Sequence, residues 1–149
     1  MKVVARNRRA LYDYSIEDKL EAGVKLLGSE VKAVKEGKGN LTSGVVKVLG
    51  DEVFLVGVSI PEYSKNSSKS YDPLRTRKLL LNRREIKRLL GFMSQKGYSV
   101  FPLTLCIKDN LVKVEIAAGR RLRKYEKKGE LKQKQQERDM EREVKGFPY

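Results

Sequence analysis

Three groups of side chains in this chain could do chemistry. Arg6, Arg8 and Arg9 surround Asn7, just ahead of Tyr12 and Tyr14. Arg75, Arg77 and Lys78 follow Asp72-Pro73 and precede Leu79-Leu80-Leu81. The third group runs from Arg120 to Lys134, with 8 basic residues, 2 acidic ones and Tyr125 among them. Arginine offers a planar fork of donors that matches a phosphate, and tyrosine offers a ring on which an unpaired base can stack. Three such groups in a chain of net charge +14 read as RNA or DNA binding.

Other chemistries lack their residues. There is no histidine, which removes Ser-His-Asp and Cys-His catalysis, HExxH zinc sites and Cys₂His₂ fingers. Cys106 is the single cysteine, so an internal disulfide and any CxxC site are excluded, and a reduced, cytoplasmic setting is expected. Asp72, Glu85 and Glu115 are scattered, with no spacing that implies a metal site or acid–base pair. Gly37-Lys38-Gly39-Asn40 lacks the GxxxxGK[ST] spacing of a phosphate loop and reads as a turn after a helix. No catalytic residue, metal or cofactor is expected. Residues 1–15 have no apolar core of a secretory signal, and Val53–Val58 falls far short of the roughly 20 residues that span a bilayer.

The elements that must carry these groups are short. Val45–Leu49 and Val53–Ile60 flank Gly50-Asp51 as a hairpin, with Phe54, Val56, Val58 and Ile60 expected on one face. Ser99–Ile107 and Leu111–Ala117 form a second hairpin around Lys108-Asp109-Asn110, with Pro102 marking an edge or a bulge. An earlier strand pair is predicted at Asp13–Ile16 and Gly23–Gly28. Ser29 is expected to cap a helix over Glu30–Glu36 that Gly37 ends. Asn82 and Glu85 form a capping box ahead of a helix whose stripe is Ile86, Leu89, Leu90 and Met93. Gly91 permits a kink, and Gly97 closes the helix. Six strands with two helices predict a mainly β fold, a small antiparallel barrel of the oligonucleotide-binding type with added helices.

The chain divides into a barrel domain, residues 1–118, and a basic tail, residues 119–149. Of the net charge, +9 lies up to Ile116 and +5 beyond it. The tail holds too few apolar residues to offset the entropy of ordering, so it is expected to be disordered or loosely helical when free.

Longer motifs add a resemblance. Asn7-Arg8-Arg9-Ala10, Asp13-Tyr14-Ser15-Ile16, Glu21-Ala22-Gly23-Val24, Gly28-Ser29-Glu30-Val31-Lys32 and Gly37-Lys38-Gly39-Asn40-Leu41 occur in that order, followed by Asp72-Pro73-Leu74-Arg75-Thr76-Arg77-Lys78-Leu79-Leu80-Leu81-Asn82. These motifs resemble the SsrA-binding protein (small protein B) family. A monomer is the default expectation, and the resemblance implies a non-enzymatic protein that binds the tRNA-like domain of transfer-messenger RNA. Such a protein travels with elongation factor Tu to stalled ribosomes for trans-translation. It implies RNA contacts at Asn7, Glu21, Leu80 and Asn82, with Arg8, Arg9 and Lys78 on phosphates. Glu21 would accept from base amino groups or be buried as a structural residue, and Leu80 would pack on a base or lie in the core. Tyr12 and Tyr71 stand where the family often has histidine, and Tyr12 would keep a stacking role. Arg123, Lys124, Tyr125, Lys127, Lys128, Lys132 and Lys134 would line the decoding centre and message channel of the small subunit. Arg121, Leu122, Gly129 and Gln133 depart from the family's tail pattern. The rival readings are a generic single-stranded RNA-binding or ribosome-associated basic protein, and a small metal-dependent nuclease.

Overall fold

The computed structural model describes residues 2–63 and 71–123. Its centre is one seven-stranded sheet in which every pairing is antiparallel. The strands are β1 (Lys2–Arg6), β2 (Tyr14–Val24), β3 (Val45–Leu49), β4 (Glu52–Val56), β5 (Arg77–Leu80), β6 (Tyr98–Lys108) and β7 (Leu111–Arg121). Their spatial order is β1-β6-β7-β2-β5-β4-β3. Three helices, α1 (Arg8–Asp13), α2 (Gly28–Lys35) and α3 (Arg83–Met93), complete the described fold.

The mainly β expectation holds, but the strand pairing does not close into a barrel, because β1 and β3 end the sheet unpaired with each other. The sheet curls instead: a Cβ added to Gly44, just before β3, would lie 2.5 Å from Pro102 Cγ on β6. A proline has no N–H to offer a neighbouring strand, so this approach is packing and not a ladder.

Both hairpins form where the turn residues predicted them. Leu49 faces Glu52 across Gly50-Asp51. Lys108 faces Leu111, so the second turn is the two residues Asp109-Asn110, both with positive φ, and Lys108 belongs to the strand. The register slips between Pro102 and Thr104, the bulge that Pro102 announced. Leu103 lies inside that slip and leaves the main core for a second one. The inward face of β4 differs from expectation. Val53 and Leu55 are buried, and only after Gly57 (φ +79°) do Val58 and Ile60 turn inward. Phe54 and Val56 therefore point to the other side of the sheet.

The N-terminal third departs most from expectation. Lys2–Arg6 is a strand on β6, and Arg8–Asp13 is a helix. In place of the expected strand pair, one strand, β2, runs the length of β7 from Tyr14 to Val24, and residues 25–28 lie beyond it, with Gly28 opening α2. β7 continues past Ala118 to Arg121, and Leu122, 4% exposed, donates its N–H to Asp13 O at 2.9 Å. The folded body thus carries beyond the 118 boundary. Helix α2 starts two residues earlier than Ser29 would set it, with Glu30 Oε1 accepting the Leu27 N–H at 2.8 Å. Gly37 (φ +88°) ends it as predicted. In α3, Leu89 is buried and Ile86, Phe92 and Met93 pack on the core, while Leu90 is exposed.

Two cores result. The inner face of the curled sheet packs Leu20, Ala22, Leu55, Leu79, Val114 and Ile116 against Ala33 and Val34 of α2 and Leu89 of α3. At one end of the outer face, α1 lays Ala10 and Leu11 over Tyr14, Ile16, Phe101, Leu103 and Ala117. The rest of the outer face stays open.

Candidate nucleic-acid interface

Strand alternation builds the open part of the outer face. In β5, Arg77 and Leu79 point inward and are buried, so Lys78 and Leu80 point outward. Gly23 of β2 is the register partner of Leu80, and Glu21 lies two residues along the same strand face. Phe54 of β4 is the partner of Lys78, and Glu52 lies two residues before it. Glu21, Leu80, Lys78 and Glu52 thus share one surface across three strands. Leu80 is 56% exposed, which removes the core reading, and its side chain drapes over Gly23, where a Cβ would come within 3.3 Å of Leu80 Cδ1. Glu21 is exposed too, with its carboxylate 3.8 Å from Lys108 Nζ, so it is not a buried structural residue. Lys78 Nζ lies 3.4 Å from Glu52 Oε1.

Asn82 follows directly as the N-cap of α3. Its Oδ1 accepts the Glu85 N–H at 2.9 Å, and Glu85 Oε1 accepts the Asn82 N–H at 3.0 Å, the predicted capping box. The Asn82 Nδ2 donors have no hydrogen-bond partner among the described residues. A bidentate pair from Arg88 to Asp18, with Nε to Oδ2 at 2.6 Å, ties α3 back to β2. That contact fixes Asn82 relative to Glu21.

The remaining predicted body residues lie elsewhere. Arg8, Arg9 and Tyr12 are exposed on α1. Arg9 Nε lies 3.8 Å from Asp13. Asn7 is 2% exposed: its Oδ1 caps α1 by accepting the Ala10 N–H at 3.1 Å, and its Nδ2 donates to Pro102 O at 2.9 Å and Leu41 O at 3.2 Å. Its polar atoms are engaged inside the protein, so Asn7 positions α1 and presents no surface of its own. A cleft of about 310 Å³ opens beside it, lined among others by Arg9, Tyr14, Ser43, Ser99 and Arg121. Arg123 is exposed at the end of the described chain. Lys124, Tyr125, Lys127, Lys128, Lys132 and Lys134 lie outside the described residues.

The body's expected residues therefore form two groups at opposite ends of β2. The Tyr14 end carries α1 and the root of the tail, and the Gly23 end carries Leu80 and Asn82. At about 3.3 Å per residue, the strand between them measures about 30 Å.

The second basic cluster is largely internal. Arg77 and Glu30 are both 0% exposed, joined by Nη2–Oε2 at 2.6 Å and Nε–Oε2 at 2.7 Å. Arg75 Nη2 meets Glu30 Oε1 at 2.5 Å. The Tyr71 hydroxyl sits 2.7 Å from Ile60 O and 3.1 Å from Glu30 Oε2, and accepts from Arg77 Nη2 at 3.3 Å. Burial alone would raise the Glu30 carboxyl, but hydrogen bonds from Arg75, the Leu27 N–H and Arg77, with the Arg77 charge, hold it below the ordinary carboxylate range. Burial and the facing Glu30 charge push the Tyr71 phenol up. Arg77 is thus removed from the phosphate-binding set, since a fully buried guanidinium must be paired internally, and the half-buried Arg75 is held on Glu30. Burial, then Glu21 and Glu115, push the Cys106 thiol up, away from a reactive thiolate. Among the described residues, no three acidic or cysteine side chains gather as metal ligands.

Sequence reasoning missed Glu52 because it fell between the Gly50-Asp51 turn and a strand expected to start at Val53. The alternation of Val53 and Leu55 was the available signal, since two buried neighbours of that spacing put Glu52 and Phe54 outward.

Comparison with known proteins bears on this arrangement. The family model described as "SmpB protein" matches residues 4–146. An SsrA-binding protein from Clostridium kluyveri is 42% identical over 144 residues, covering 97% of this chain and 92% of its own. One from Geobacillus thermodenitrificans is 43% identical over 141 residues, covering 95% and 91%. A chain from the solved structure "tmRNA-SmpB: a journey to the center of the bacterial ribosome" superposes with a TM-score of 0.70 at 36% identity, covering 88% of this chain and 95% of that one. On the strength of these matches, the chain belongs to the SmpB, or SsrA-binding, protein family.

Proposed function

We propose that this protein binds transfer-messenger RNA through the open outer face and acts with it on the ribosome in trans-translation. The observation that carries this reading is the outward row of Glu21, Leu80 and Lys78 beside the Asn82 cap, on a chain whose relatives are named for binding SsrA. The row mixes an acceptor, an apolar surface and donors, which suits unpaired bases in a folded loop better than a uniform phosphate backbone. The contacted part of the RNA is the tRNA-like domain. No helix among the described residues is long and apolar enough to cross a membrane.

The α1 end and the tail take the ribosomal side. Tyr12 offers a stacking ring there, with Arg8 and Arg9 for phosphates. Arg123 leads into the basic segment, which would follow the decoding centre and message channel. The protein works in the cytoplasm as a monomer, without catalytic activity, and elongation factor Tu shares the delivered complex. A gel shift at moderate salt tests the core of the reading. The tRNA-like domain should bind more tightly than an unrelated tRNA of equal length, and equal affinities would overturn it.

A further inference from the structure

We propose that the hollow between the β3–β4 turn and the start of α3 receives one unstacked nucleobase of the bound RNA, with Glu52 accepting a hydrogen bond from its amino group. This rests on the reading above and names a subsite within it. The hollow measures about 410 Å³. Its exposed apolar surface comes from Leu80, with Leu81 and Ile86 half-buried beside it, over the buried Val53 and Leu79. That apolar lining suits the face of a base. The rim is polar: the Glu52 carboxylate, beside Asp51 of the turn, only accepts, while Lys78 Nζ and Asn82 Nδ2 only donate.

In the bare protein Glu52 and Lys78 answer each other at 3.4 Å, and both are well exposed. Such a pair exchanges partners at little cost. A nucleotide supplies both replacements, an exocyclic amino group for the carboxylate and a phosphate for the ammonium. A phosphate alone would take Lys78 and leave Glu52 facing a second anion. Adenine, cytosine and guanine carry the required amino group, and uracil does not. The same logic separates the two ends of β2. Carboxylates at the Gly23 end disfavour a bare phosphate backbone, whereas Arg9 and Arg121 line the cleft at the other end.

The test uses the full chain and a transcript of the tRNA-like domain. Single nucleotides are replaced by analogues lacking the amino group: inosine for guanosine, purine riboside for adenosine, and pyrimidin-2-one riboside for cytidine. One replacement should weaken wild-type binding about tenfold, the size expected for one hydrogen bond to a charged acceptor. Glu52→Ala should weaken the unmodified RNA by a similar factor and be indifferent to that replacement. The proposal is overturned if Glu52→Ala binds as tightly as wild type or more tightly, or if the replacement still costs the variant the same factor. If wild type shows no preference for the tRNA-like domain over an unrelated tRNA of equal length, the functional reading fails instead.

Discussion

Removing the carboxylate of Glu30 should unfold this protein more effectively than any change on its open outer face. Glu30 reaches from α2 into the inner face of the sheet, where it meets Arg77 of β5 and Arg75 of the preceding segment. Arg77 is fully buried and also donates to Val58 O at 2.8 Å and Pro73 O at 3.1 Å. Glu30→Ala leaves that guanidinium with carbonyls and a phenol but no anion. Breaking one side of a buried ion pair costs about 3–5 kcal/mol, a large share of the roughly 5–15 kcal/mol that stabilises a domain. For a fold of this size, that is a fall in Tm on the order of 10–25 °C. Arg77→Met should cost less than Glu30→Ala, because Arg75 and the Leu27 N–H still compensate the carboxylate. Glu30→Gln combined with Arg77→Met should recover part of the Glu30→Gln loss, since the isolated charge has gone. Acid sharpens the test. The folded carboxyl lies below its ordinary value of 4.5, so its stabilisation is complete above that value and is lost as pH falls through the lower, folded one. The gap between wild type and Glu30→Gln in urea midpoint should therefore narrow on acidification. A Glu30→Ala protein within about 1 kcal/mol of wild type in urea melts, with a gap independent of pH, would refute the reasoning.

Three further outcomes follow from the fold. Gly57→Ala should lose at least about 1–3 kcal/mol in thermal melts, because its φ is +79° and a Cβ would lie 2.5 Å from Ser43 O. Asn7→Ala should fray α1 by removing its cap, raising hydrogen exchange at the Ala10 amide on the order of tenfold while the hairpin amides stay protected. Truncation after Arg123 should preserve binding to the tRNA-like domain and abolish rescue of stalled ribosomes. Truncation after Ala118 should lower Tm as well, because it removes buried Leu122 and its hydrogen bond to Asp13 O.

Local chemistry made the hairpins and α3 legible. Asp109-Asn110 adopts the positive φ that a two-residue turn demands, and the Asn82–Glu85 box announces its helix from four residues. Two other features resist local reading. Arg75 and Arg77 look like a surface cluster until the topology brings Glu30, far away in sequence, beneath them. The long strand β2 was hidden by a bulge between Ile16 and Asp18, which shifts the alternation midway and makes one strand read as two fragments. The same bulge lets Tyr14 and Ile16 serve the second core under α1, while Leu20 and Ala22 serve the first. Asn7 was legible as important but not in kind. Its type and position fit an RNA contact equally well as the helix cap and strand staple that the structure shows.

The bulge also explains how one small body can offer two different surfaces. A regular strand would keep one outer face, and α1 would have no separate apolar patch on which to sit. The shift places Tyr14 and Ile16 under α1, and beyond Asp18 it leaves Glu21 exposed. The two ends also differ in chemistry. Lysine–glutamate pairs stand at the open end, and Arg9 and Arg121 line the cleft at the covered end. The β2–β7 ladder joins them without interruption apart from the bulge, so their separation of about 30 Å is set by strand rise and not by a hinge. A partner that touches both ends must match that spacing.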